Sequence, residues 1–186
     1  MTSKSSLQTG RHGPETAPLW FVFHNRWQML EDAVALAERL GPDALTVSVR
    51  APRAQSLGGT GQVMGYFWAV GPQDYPELSK LGDGLYQLEL LLDENLKRYG
   101  SEKLSLLGYG EGGMIALTLV AIFPDKVETV IARDAYLPLN LDAMPVVASL
   151  AGVQITLELT EEPADDRVQK LVELGATVTI QSVQNS

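Results

Sequence analysis

Apolar residues fall along this chain in two alternating rhythms. PLWFVFH, over residues 18–24, is a short run of aromatic and β-branched side chains and predicts a buried strand. In the segment that follows, RWQMLEDAVALAERLG, Met29, Ala33, Leu36 and Leu40 recur at helical spacing, and Gly41 ends the helix. ALTVSV, residues 44–49, predicts the next strand. Further on, Leu78, Leu81, Leu85, Leu88, Leu92, Leu96 and Tyr99 form one apolar stripe on a helix of about six turns. A strand over 103–107, a glycine-rich turn, a helix over 111–123 and a strand over 127–132 come next. A strand over 153–159, a short helix near 165–174 and a strand over 177–183 complete the pattern. Strands alternating with helices predict an α/β fold, a mainly parallel sheet with helices on its faces.

Residues 50–75, RAPRAQSLGGTGQVMGYFWAVGPQDY, break the rhythm. They read as one long glycine-rich connection, with Met64, Tyr66, Phe67 and Trp68 together. Connections of that length are functional or disordered, and the aromatics argue against disorder. Trp68 and its neighbours are therefore expected to cover a cleft; filling the core is the alternative.

The chain has 186 residues, enough for one domain with a core that needs no staples. Residues 1–17 read as a flexible leader or edge hairpin and 18–186 as the domain. There is no cysteine, which excludes disulfides, thiolate metal sites and cysteine nucleophiles. A net charge of -9 argues against a nucleic-acid partner, since phosphate binding needs an excess of Lys and Arg. No apolar run reaches the ~20 residues of a membrane span, and the N-terminus lacks the apolar core of a signal peptide. The expectation is a cytoplasmic protein with no metal and no cofactor.

The glycine turn carries the functional question. In LSLLGYGEGGMIALTLV, residues 104–120, Gly108, Gly110 and Gly113 fit G-x-G-x-x-G, the dinucleotide fingerprint. Asp134 lies at the end of the next strand, where a ribose-binding acid belongs. Two strands and the longest helix precede this turn, however, whereas the fingerprint normally opens its fold. Glycines that simply let helix and strand pack closely need no ligand at all. The same residues also fit G-x-S-x-G, the nucleophile elbow of serine hydrolases, with Gly110 at the serine position.

LSLLGYGEGGMIALTLVAIFPDKVETVIA, followed by YLP at residues 136–138, resembles the phospholipase/carboxylesterase branch of the α/β-hydrolase superfamily. PLWFVFHN resembles the strand and H-G turn that carry half of the oxyanion hole, with Asn25 in place of glycine. VRAPRA resembles the strand end that follows helix one. ITLELTEEPADDRVQKLVELGATVTI resembles the region of the triad acid, with Glu162 at the acid position. The resemblance runs from about Pro18 to Val183 and implies an α/β-hydrolase-like three-layer sandwich. Family members usually carry a histidine loop and one more helix beyond the point where this sequence stops. Val153, Ile155, Leu157 and Leu159 alternate with polar residues, as do Val178 and Ile180, so one face of these strands is written for water or for a polar partner surface. That predicts a sandwich lacking the C-terminal helix; a position near the sheet edge explains the same alternation.

Measured against this family, the chain departs where chemistry happens. Gly110 offers no nucleophile, and the two histidines are His12, in the leader and solvated, and His24, at the H-G turn where histidine is structural. Glycine also relieves the backbone strain of an elbow, which costs other residues about 1–3 kcal/mol. Glu111 stands where its N–H would complete the oxyanion hole; its carboxylate either repels an oxyanion or, facing away, suits the helix dipole. The leading expectation is a pseudo-hydrolase retained as a binding or interaction module. An active esterase using Glu111, Ser105 or Ser56 is the second reading, and nucleotide binding at Gly108–Gly113 the third.

Arg26, Arg50, Arg53 and Arg133 all fall just after strand ends, where an open α/β sheet forms its ligand crevice. With Trp68, Gly110 and the adjacent helix start, Arg26, Arg53 and Arg133 could hold a small anionic or ester-like ligand. Glu111, Asp134, Glu161, Glu162, Asp165 and Asp166 belong to the same rim, so internal ion pairs are the competing reading. A homodimer is a further expectation, for which the aromatic segment near Trp68 could supply an apolar patch, although the sequence does not fix the interface.

Overall fold

The unbroken apolar runs become central strands of a seven-stranded sheet in a computed structural model of the chain, which describes residues 4–144, 147–162 and 165–184. In chain order the strands are β1 (Thr9–His12), β2 (Leu19–Phe23), β3 (Leu45–Val49), β4 (Arg53–Ser56), β5 (Val63–Phe67), β6 (Leu104–Tyr109), β7 (Val127–Arg133), β8 (Gln154–Leu159) and β9 (Thr177–Ser182). The helices are α1 (Leu30–Ala37), α2 (Leu78–Tyr99), α3 (Glu111–Ile122) and α4 (Asp165–Glu173). The sheet runs β1-β3-β2-β6-β7-β8-β9, parallel throughout except where β1 pairs antiparallel with β3. Residues 9–12, inside the segment read as leader or edge hairpin, thus close one edge of the sheet.

Alternation of side chains divides the sheet into two unlike faces. Leu19, Phe21, Val47, Leu106, Val130 and Leu157 belong to the main core, together with leucines of α2 and α3 and Leu171 of α4. Every residue of α3 from Glu111 to Ala121 is buried, as expected for a helix apolar on all sides. Across the sheet, Val22 and Leu107 meet Ala33 and Ala37 of α1 in a smaller cluster. Arg39, just past α1, reaches the carboxylate of Glu158 on β8 at 2.8 Å. A position at the sheet edge explains the polar alternation on β9. β9 is an edge strand with even Ile180 43% exposed, whereas β8 lies inside the sheet and still carries Gln154, Thr156 and Glu158 on the α1 side.

Two expectations are corrected here. Residues 50–75 are not a plain connection, because β4 and β5 pair antiparallel within them, Arg53 opposite Phe67. The first helix also starts later than its apolar spacing implied. The chain after β2 turns back onto β5, with Trp27 N–H donating to Tyr66 O at 2.7 Å and Tyr66 N–H to Gln28 O at 2.9 Å, before α1 begins at Leu30. Among the described residues, no helix is long and apolar enough to cross a membrane.

Candidate functional site: two turns at the strand ends

β2 and β6 are neighbours, with Phe23 opposite Gly108, so the turns that leave them lie side by side. Gly110 has φ 54° and ψ −118°, a backbone region open to glycine and strained for other residues. Its N–H donates to Arg133 O at 2.8 Å, and its carbonyl accepts from Met114 N–H at 3.0 Å to start α3. This is the sharp strand-to-helix bend of the elbow reading.

The other glycines of the turn are needed for packing. A Cβ on Gly108 would stand 2.5 Å from Gly113 N, one on Gly112 2.5 Å from His24 O, and one on Gly113 2.6 Å from the Ala135 Cβ. Close approach of α3 to the strand ends accounts for the fingerprint without a cofactor. Asp134 is likewise engaged, its Oδ1 accepting from both N–H and Oγ1 of Thr160 at 2.9 Å.

The space beside Gly110 is filled from the neighbouring turn. Asn25 Oδ1 accepts from its neighbour Arg26 N–H at 2.7 Å and from Glu111 N–H at 2.9 Å. A Cβ on Gly110 would lie 2.6 Å from Asn25 Nδ2 and closer still to Cγ and Oδ1. The position of the missing side chain is therefore taken by a carboxamide.

Glu111 turns away from any cleft. Its side chain is fully buried and ion-paired with Arg26, whose Nη2 lies 2.6 Å away and Nε 3.0 Å. The carboxylate also accepts from Trp68 N–H at 2.7 Å and Ala69 N–H at 3.2 Å, which straps the chain after β5 down over both turns. Arg26 completes its hydrogen bonding on the carbonyls of Ala69 and Gly71, both at 2.8 Å. Internal pairing, the competing reading, describes this arginine.

Trp68 is corrected from cleft wall to core. It is 1% exposed, packs edge-on against Phe23 at 5.4 Å, and donates its ring N–H to His24 O at 3.1 Å. Its carbonyl holds Arg53, which also donates to Lys80 O, so this arginine too is spent inside the protein. Around the β4–β5 hairpin, the large apolar side chains left in solvent include Trp27 (61%), Met64 (51%) and Leu57 (50%). Trp27 adopts φ 62°, unusual for an aromatic residue and a local store of strain. Arg50 stacks on Tyr66 at 4.1 Å. Arg133 is held more loosely, 3.8 Å from Asp134 and over the Tyr109 ring.

His24 is buried and used at both ring nitrogens. Nε2 accepts from Ala51 N–H at 2.9 Å, which leaves Nδ1 to donate to Asn25 O at 2.6 Å. Burial pushes its pKa below the ordinary 6.5. His12 is exposed on β1. Glu162 is exposed beyond β8, and no structural bond from it is found among the described residues. Pro163 and the Asp165 side chain lie outside the described residues. Neither alternative nucleophile stands at the elbow: Ser105 is buried at the N-terminal end of β6, 3.4 Å from Glu128, and Ser56 is exposed on β4. Among the described residues, no group of three or more His, Asp and Glu side chains is placed to hold a metal ion.

No family model matches the sequence, and no curated protein matches it either. Solved structures do match. The chain is similar to the carboxylesterase from Mesorhizobium loti, at 19% identity and TM-score 0.74, over 98% of this chain and 91% of that one. The Bacillus cereus carboxylesterase matches at 19% identity and TM-score 0.74, over 97% and 86%. Esterase PE8 matches at 20% identity and TM-score 0.73, over 99% and 91%. At these identities the likeness shows the fold, which is α/β-hydrolase-like.

Proposed function

We propose that this chain is a pseudo-hydrolase, a carboxylesterase-like protein without acyl-transfer chemistry that serves as a binding or interaction module. One observation carries the reading: residue 110 is a bare glycine at the elbow, with the Asn25 carboxamide in the space a nucleophile would need. Acyl transfer requires a nucleophile with a base in reach. His24 is committed on both nitrogens and Glu111 is held under Arg26, so neither is free to take a proton from an attacking group. The expected outcome is background-level turnover of short-chain aryl esters and no fluorophosphonate label. Labelling of any serine in the purified protein would overturn the reading.

For a small anionic or ester-like ligand, Arg133 is the candidate contact, since Arg26 and Arg53 are taken up internally. For self-association, the support is the β4–β5 hairpin: Leu57 and Met64 are exposed there, beside Trp27. No Asp or Glu lies between Asp43 and Asp74 in a chain of net charge -9, so two copies would meet where their repulsion is least. Light scattering on wild type and Met64→Ser reads this directly; a wild-type monomer at all concentrations would dismiss it. A cytoplasmic location belongs to the same proposal.

A further inference from the structure

The turn after β2 is anchored on both sides of Asn25. Its N–H donates to Gln28 Oε1 at 2.7 Å, and its carbonyl receives the His24 ring at 2.6 Å. Only the side chain is free to choose a partner, and its oxygen takes the N–H groups of Arg26 and Glu111. A carboxamide oxygen has two lone pairs, so these two donors saturate it. The donors come from the turn beside the elbow and from the residue after the elbow, the pair from which an oxyanion hole is built.

We propose that Asn25 is a built-in occupant of this oxyanion hole, a contact that both fills the donors and takes the space a side chain at residue 110 would need. This rests on the pseudo-hydrolase reading and deepens it: the site is closed by an interaction as well as emptied by a deletion. The same geometry makes positions 25 and 110 interdependent. A Cβ on residue 110 overlaps the carboxamide, whose route of retreat is the loss of its two hydrogen bonds. The two N–H groups in turn need an acceptor when the carboxamide leaves.

A double-mutant cycle on thermal unfolding tests the dependence. Gly110→Ser in the natural background is expected to lower Tm by about 10 °C, combining overlap with strain at φ 54°. In the Asn25→Gly background the same substitution should lower it by less than about half that, because only the strain remains. Equal losses in both backgrounds would overturn the proposal. If Gly110→Ser does not fold alone, recovery of folded protein by adding Asn25→Gly counts as the expected result, and failure to recover it counts against. Hydrogen exchange supplies a measurement that needs no elbow variant. The amides of Arg26 and Glu111 should be protected in the natural protein and lose about tenfold or more of that protection in Asn25→Gly; unchanged protection would overturn the proposal. Neither readout involves activity. A labelled serine therefore removes the functional reading and leaves the cycle to be judged by itself, while an additive cycle removes the lock and leaves inactivity untouched.

Discussion

The turn leaving β2 is made of large polar side chains, His24, Asn25 and Arg26, whereas the turn leaving β6 is made of glycines spaced by Tyr109 and Glu111. The first projects side-chain atoms into the second, and the second answers mostly with backbone. Strain is shared out accordingly. In the β6 turn the positive φ falls on Gly110, which bears it without cost, and in the β2 turn it falls on Trp27, which does not. The neighbouring turns show that a sharp strand-to-helix bend can carry a glycine at its centre while a side chain from the next turn fills the space beside it.

The contrast breaks most completely at Glu111, the large side chain that the β6 turn sends back to the β2 turn. Glu111→Ala leaves the Arg26 guanidinium and the Trp68 and Ala69 N–H groups without their acceptor. A loss of about 3–5 kcal/mol is expected, read as a fall in denaturation midpoint at unchanged slope. Next in size is Gly113→Val in the glycine-built turn. Its Cβ overlaps Ala135, so about 1–3 kcal/mol should be lost, with no dinucleotide-induced thermal shift in either protein.

How much of this was legible in the sequence depends on the range over which each feature is decided. The stripe from Leu78 to Tyr99 identified α2, and the apolar runs identified β2, β3 and β6, because periodicity is a local property. β4 and β5 were missed because RAQS is polar and VMGYF is short and broken by Gly65, so neither shows strand alternation. Trp68 was misplaced for a related reason: an aromatic beside glycines looks the same whether it covers a cleft or enters a core. The glycine pattern located the sharp strand-to-helix bend, and the family resemblance marked Asn25 as a departure. What Asn25 does there depends on two turns meeting across β2 and β6 through residues 86 apart in sequence, and no window of sequence contains that contact. The arginines behaved similarly. Their position at strand ends was evident, while the partners that absorb Arg26 and Arg53 are set by tertiary approach.

The remaining two predictions are smaller and concern the side-chain-built turn. His24 is held neutral in the folded protein, with its pKa lowered by burial. Its stabilising contribution is therefore complete above the unfolded value of 6.5 and is lost progressively as pH falls through the lower folded value. Stability measured by denaturant titration should decline as pH falls from 6.5 toward the lower folded value, and His24→Gln, though less stable at neutral pH, should decline less steeply. Trp27→Gly moves the strained residue of this turn to the kind found in the other. With the ring already 61% in solvent, relief of φ 62° should outweigh the added chain entropy by about 0.5 kcal/mol, a small rise in Tm. A fall would show that the ring packs against the turn more than its exposure suggests.

The chain has three tryptophans in three environments: Trp68 sealed in the core, Trp20 half-covered on β2, and Trp27 in water on the β2 turn where it meets β5. Emission from Trp27 should lie at the long-wavelength end of the spectrum and be quenched first by acrylamide, while Trp68 emits at shorter wavelength, shielded from the quencher. The native protein thereby contains its own optical gauge, and whatever settles over the β2 turn, small molecule or second copy, will shield that indole and shift the emission to the blue.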